Sequence, residues 1–162
     1  MIDESGNNDG LDDGRELDLQ EPVREEGKPE ISEFSQKGYL YLKENRVADA
    51  EECFSRILDI EPDNTYALVG LGDAARKRGD FHGAAARYEK CLDRHPGNNY
   101  ALFGLADCYK ALKQFGRAIE IWERYLLHDD KNVTVLTRVA DAYRKVRNIA
   151  RTREIYQRVP AT

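Results

Sequence analysis

The sequence predicts an all-α solenoid built from four helical hairpins, and three observations carry that prediction. The first is a repeat of 34 residues running through residues 31–162. It aligns Leu68, Leu102 and Leu136 beneath Phe34. It also aligns Gly38, Gly72, Ala106 and Ala140, and the aromatics Phe54, Tyr88, Trp122 and Tyr156. A period in this range marks an array in which each unit buries its apolar face against its neighbours. The second is the spacing inside a unit. Leu68, Leu71, Gly72 and Ala75 recur at i, i+3, i+4 and i+7, as do Ala84, Tyr88, Cys91 and Leu92. Each set is the apolar stripe of an amphipathic helix. The third is punctuation. Gly79-Asp80 separates the two stripes, and Pro62 and Pro96 close the first two units, with Asp130 in that place in the third.

Taken in order, the helices are expected near 31–44, 48–60, 65–78, 82–94, 99–112, 116–128, 133–146 and 150–159. Asn45 can replace Gly79 in the first turn, because asparagine tolerates the left-handed conformation. Lys113 and Arg147 fall at the same place in the third and fourth units, at a conformational cost unless those turns differ. Small residues at 38, 72, 106 and 140 face small residues at 50, 84 and 118, so paired helices can approach closely. The aromatic at 54, 88, 122 or 156 is expected to wedge between hairpins.

Composition divides the chain at residue 30. Residues 1–30 hold eleven Asp or Glu against Arg15, Arg24 and Lys28, a net of −8, so the repeats carry +3 of the chain's −5. Such a segment buries too little apolar surface to order itself. It reads as an acidic, disordered tail that solubilises the chain. The alternative is that it folds back on the repeats or carries a docking motif around Leu17, Leu19 and Val23. The cysteines, Cys53, Cys91 and Cys108, are odd in number and lack CxxC spacing, which points to reduced thiols in a helical core and a cytoplasmic setting. No apolar run reaches the length of a membrane span, and no signal-peptide pattern opens the chain.

Chemistry finds little support. Residues 5–16 hold oxygen ligands, glycine and a final Glu16 at spacings like those of a calcium loop. Ser5 and Asp12 break that pattern, and chance in an Asp/Gly-rich tail accounts for it better. His82, His95 and His128 lack ligand spacing. There is no phosphate loop, no GxSxG and no His/Cys pairing at helical spacing. No cofactor, no metal and no catalysis are therefore expected.

The stretch Leu68-Val69-Gly70-Leu71-Gly72, with Ala84, Tyr88 and Pro96, resembles the tetratricopeptide repeat, as does Leu102 through Ala106 with Tyr109, Ala118 and Trp122. The resemblance covers 31–64, 65–98, 99–132 and 133–162, departing at Lys37, where Leu is usual, and at Thr152, where Ala is usual. It implies a right-handed α-solenoid whose first helices line a concave, partner-binding groove. On that expectation the second unit presents Tyr66, Val69, Asp73, Arg76 and Lys77, and the third Tyr100, Phe103, Asp107 and Lys110. The fourth presents Thr134, Thr137, Arg138, Asp141, Arg144 and Lys145, and the first Ser32, Ser35, Gln36, Tyr39 and Lys43. Tyr66, Tyr100 and Phe103 would form an aromatic patch beside a ladder of Asp73, Asp107 and Asp141, with Arg76, Lys110 and Arg144 alongside. Either each Asp merely pairs with the base three residues on, or the groove takes an extended peptide or partner helix.

A subgroup of the family clamps chaperone C-termini with Lys, Asn and Arg. Ser35, Tyr39 and Gly70 stand where its first Lys and two Asn belong, which argues against that mode. The expected function is a non-catalytic protein–protein interaction module. The alternatives are an RNA-associated scaffold, prompted by the basic fourth unit and the likeness of Ala150–Val159 to the half-a-tetratricopeptide variant, or a self-associating adaptor. Self-association would run through the fourth repeat, where no further helix follows Tyr156 and Val159 to cap the array. Nucleic acid is not the expected partner.

Overall fold

The computed structural model describes residues 29–160. The calcium-loop-like stretch 5–16 and the Leu17, Leu19 and Val23 motif lie outside the described residues. The described chain is helical throughout, in eight segments, and divides into two compact units of two hairpins each, 29–96 and 97–160. The first unit holds α1 (Pro29–Lys43), α2 (Val47–Ile60), α3 (Thr65–Lys77) and α4 (Phe81–Arg94). The second holds α5 (Asn99–Ala111), α6 (Phe115–Leu126), α7 (Val133–Lys145) and α8 (Ile149–Gln157). Pro29 and Glu30, read above as the end of the tail, are the first turn of α1. Proline fits there because its missing N–H would have no helical partner.

All four hairpin turns use one device. Asn45, Gly79, Lys113 and Arg147 have φ of 61°, 81°, 64° and 64°. In each turn the following residue donates its N–H back across the helix end, as from Asp80 to the Ala75 carbonyl at 2.9 Å and from Gln114 to the Tyr109 carbonyl at 2.8 Å. This is the Schellman closure, which satisfies otherwise orphaned carbonyls. The turns at Lys113 and Arg147 do not differ, so those side chains sit in the left-handed region that disfavours them.

The first helices of the last three hairpins start alike. The side-chain oxygens of Asn64, Asn98 and Asn132 accept the N–H of Ala67, Ala101 and Val135 at 3.0, 2.9 and 3.1 Å. This asparagine column also has the 34-residue period, but it lies between the apolar stripes where the hydrophobic pattern is silent.

In unit 29–96, Ile31, Leu42, Ala50, Phe54, Ile57, Ala67, Leu71 and Ala74 form one buried cluster. Phe54 is its wedge. A Cβ on Gly38, in the same hairpin, would stand 2.6 Å from the Phe54 ring, and one on Gly70, in the next hairpin, 2.5 Å. The ring therefore fills two glycine notches, one on each side of the hairpin boundary. Tyr88 fills the notch at Gly72, where a Cβ would be 2.6 Å away. So these glycines receive aromatic rings. In unit 97–160, Trp122 is the buried wedge, edge-on to Phe103 at 5.0 Å and to Tyr125 at 6.4 Å.

Candidate partner-binding faces

The first helices carry the residues expected to meet a partner, and the structure divides them. Val69, Arg76, Phe103, Asp107 and Arg138 are buried. Tyr66, Asp73, Lys110 and Asp141 are half-buried, and Lys77, Tyr100 and Arg144 are exposed.

Phe103 is a correction. Expected on an open aromatic patch, it is 1% exposed, packed on Trp122 and capped by the Arg138 guanidinium 5.3 Å above its ring. Helix α5 is buried from Ala101 to Tyr109, so its apolar surface is not a single stripe and the residue beside the stripe is also core. Tyr100, 39% exposed, is what the patch keeps in that unit. Ser35, also expected to line the groove, is buried at the core side of α1.

The aspartate ladder is engaged internally, by rules that the second-helix aromatic decides. In the second hairpin the Tyr88 hydroxyl donates to the Asp73 carboxylate at 2.5 Å, and Arg76 stands 3.7 Å from the same oxygen. Burial pushes the Asp73 carboxyl above the usual range, against the pull of Arg76 and the Tyr88 hydrogen bond. The fourth hairpin repeats the arrangement 68 residues on: Tyr156 donates to Asp141 at 3.0 Å and Arg144 pairs with it at 2.9 Å. In the third hairpin the aromatic is Trp122, which has no hydroxyl. There Asp107 meets Arg138 of the next hairpin at 3.5 Å, both side chains deeply buried. The Asp/base pairing three residues apart thus holds in α3 and α7, and in α5 the carboxylate has an ion-pair partner on α7. In the first hairpin the ladder position is Tyr39, which packs edge-on against Phe54 and donates to the Tyr66 carbonyl at 3.2 Å.

Arg138 itself occupies the column of Gly70 and Gly104. A large cation in a glycine column is the sequence signal that could have placed it inside. Unit 97–160 is further tied at its far side. Glu123 on α6 accepts from the Tyr143 hydroxyl of α7 at 2.8 Å and from Arg151 of α8 at 3.1 Å.

Among the described residues no group of side chains could hold a metal ion, and no helix is long and apolar enough to cross a membrane. Cys53, Cys91 and Cys108 are free and buried. Burial raises the Cys53 thiol and pushes the Cys91 thiol to about 11.

Two models of the tetratricopeptide repeat match the chain, one over residues 36–80 and the other over 75–136, together more than half its length. The chain belongs to the tetratricopeptide repeat family. Its fold class is the all-α helical-repeat solenoid of that family. Among solved structures it is similar to a tetratricopeptide repeat protein from Parabacteroides merdae ATCC 43184 (21% identity, TM-score 0.73). That alignment covers 81% of this chain and 52% of the other, so the chain spans about half the length of that relative. It is also similar to the first repeat domain of Spaghetti (RPAP3), solved with the HSP90 peptide SRMEEVD (17% identity, TM-score 0.70, covering 74% of this chain and 94% of that one). MamA from AMB-1 is a third (20% identity, TM-score 0.68, covering 79% and 70%). These identities establish the fold alone. A comparison with curated proteins found no match.

Proposed function

We propose that this tetratricopeptide repeat chain is a non-catalytic interaction module, working in the cytoplasm, that docks a peptide or partner helix on the exposed faces of its first helices. The observation that carries this reading is what packing leaves over. On α5 and α7, Tyr100, Thr137, Arg144 and Lys145 stay exposed and Lys110 half-exposed, while their neighbours Phe103, Asp107 and Arg138 are held inside. On α1 and α3 the same faces offer Gln36, Tyr39, Tyr66, Lys43 and Lys77. An exposed aromatic ring and flexible cations on the same helices suit a peptide with an apolar anchor and acidic flanks. The peptide-bound RPAP3 domain supports the class of partner.

The chaperone clamp is not the mode proposed. Its three places are filled here by buried Ser35, by Tyr39 bonded to the Tyr66 carbonyl, and by Gly70 under the Phe54 ring. Three buried, reduced cysteines support the cytoplasmic setting.

The test compares the intact chain with Tyr100→Ala/Lys110→Glu as bait in native extract. The expected result is an unchanged helical spectrum and at least a tenfold loss of affinity for the partner captured by the wild type, about 1.4 kcal/mol. Full retention of that partner by the folded variant refutes the face assignment. RNA binding is the second reading, favoured by the cations of α7 and α8. It would appear as an affinity falling steeply with salt, where an aromatic-anchored peptide loses little.

A further inference from the structure

The repeat makes one residue anomalous. Phe54, Tyr88 and Trp122 are 0% exposed, yet Tyr156 in the same column is 43% exposed. It shares a face of α8 with Ile149, 60% exposed, and Arg153, at i, i+4 and i+7, and Val146 before the helix is 45% exposed. The rim is basic. Among the described residues neither Arg147 nor Arg153 has a carboxylate partner, and Arg158 reaches only the Asp130 carbonyl at 3.5 Å. Glu154, the acid on this helix, is taken by Arg151. The face thus combines open apolar surface with unneutralised cations.

Charge decides the occupant. A second copy meeting this face through a two-fold axis would bring two basic rims of Arg147, Arg153 and Arg158 into one interface, because both copies present the same patch. The chain carries the opposite chemistry in residues 1–28, with ten carboxylates against Arg15, Arg24 and Lys28, and with Leu11, Leu17, Leu19 and Val23 among them. Fully extended, these 28 residues span about 90–100 Å. We propose that the acidic segment 1–28 of this chain docks on the outer face of α8. Its leucines and Val23 cover Ile149 and Tyr156, and its carboxylates neutralise Arg147 and Arg153. The segment then competes with any acidic ligand drawn to the fourth hairpin.

The experiment uses the intact chain, followed by backbone-amide NMR and trypsin. One variant replaces Asp12 and Asp13 with Asn and Glu16, Asp18 and Glu21 with Gln or Asn. The other carries Arg147→Glu and Arg153→Glu, exposed positions that leave the core untouched. The expected result is reciprocal: the first variant shifts the amides of Ile149–Gln157, and the second shifts those of Leu17–Val23. The second should also speed cleavage after Arg15 and Arg24 by at least about fivefold, since protease reads the open population. Both effects should be independent of protein concentration and disappear in about 0.5 M salt, where the screening length is only a few ångströms. The proposal is overturned if either partner's amides stay unmoved, if cleavage is unchanged, or if the shifts scale with concentration, which would assign the face to a second copy.

Discussion

Replacing Tyr88 with Phe deletes one oxygen and leaves the ring in its notch at Gly72, so the variant isolates a hydrogen bond from the packing around it. The hydroxyl donates to Asp73, whose carboxylate is otherwise met by Arg76 at 3.7 Å in a largely dry setting. A hydrogen bond to a charged group contributes about 1.5–3 kcal/mol, and a buried carboxylate that loses it recovers little from water. Tyr88→Phe should therefore cost about 1.5–3 kcal/mol in urea unfolding. Tyr156→Phe makes the internal control, because it removes the same bond, to Asp141, where the ring is 43% exposed and water can replace the donor. Its cost should be about 0.5 kcal/mol or less, the usual range for an exposed site.

A pH series sharpens the contrast. Burial raises the folded Asp73 carboxyl above its unfolded value, so this group adds stability at low pH and withdraws it as pH rises through the folded value. Losing the phenol raises that value further. The gap between Tyr88→Phe and wild type should be widest at neutral pH and shrink on acidification, at a pH above that of an exposed carboxylate. Equal costs at the two tyrosines, or a gap that widens as acid is added, would refute the reasoning.

Other outcomes follow from the same contacts. Lys113→Gly and Arg147→Gly should each stabilise by about 0.5–1 kcal/mol, since both residues hold φ of 64° where glycine is at ease; the urea midpoint should rise at unchanged slope. Phe103→Ala should cost about 3–5 kcal/mol in the same assay and Tyr100→Ala under about 1 kcal/mol, which separates core from face on one helix. Iodoacetamide at pH 8 should leave Cys91 and Cys108 unmodified in the native chain and alkylate all three cysteines in urea, because the thiols are buried and the Cys91 thiol is raised to about 11; mass spectrometry counts the adducts.

The helices were legible because a strict period repeats the same stripe four times, and every expected end lies within two residues of the observed one. The turns were legible too, since Asn45 and Gly79 announce a left-handed residue and the register carries that to Lys113 and Arg147. The faces were less so. The α5 sequence from Ala101 to Tyr109 is apolar on nearly every side, so periodicity could not say that Phe103 turns inward. The Asp107–Arg138 pair joins residues 31 positions apart, and no local spacing reports such a contact. Whether a ladder aspartate meets a tyrosine hydroxyl depends on the ring fifteen residues later, a correlation between helices rather than within one.

The Phe54 ring, seated in Gly38 of its own hairpin and Gly70 of the next, makes the order of the repeats part of the code. Half of its receptacle belongs to whichever hairpin comes second. The third hairpin, with Gly104 in that column, could follow the first; the fourth could not, since Arg138 would drive its side chain into the ring. The hairpins share a period without being interchangeable parts. An array shuffled by recombination would keep every helix and every turn, yet fail at the one junction where a glycine had been exchanged for an arginine.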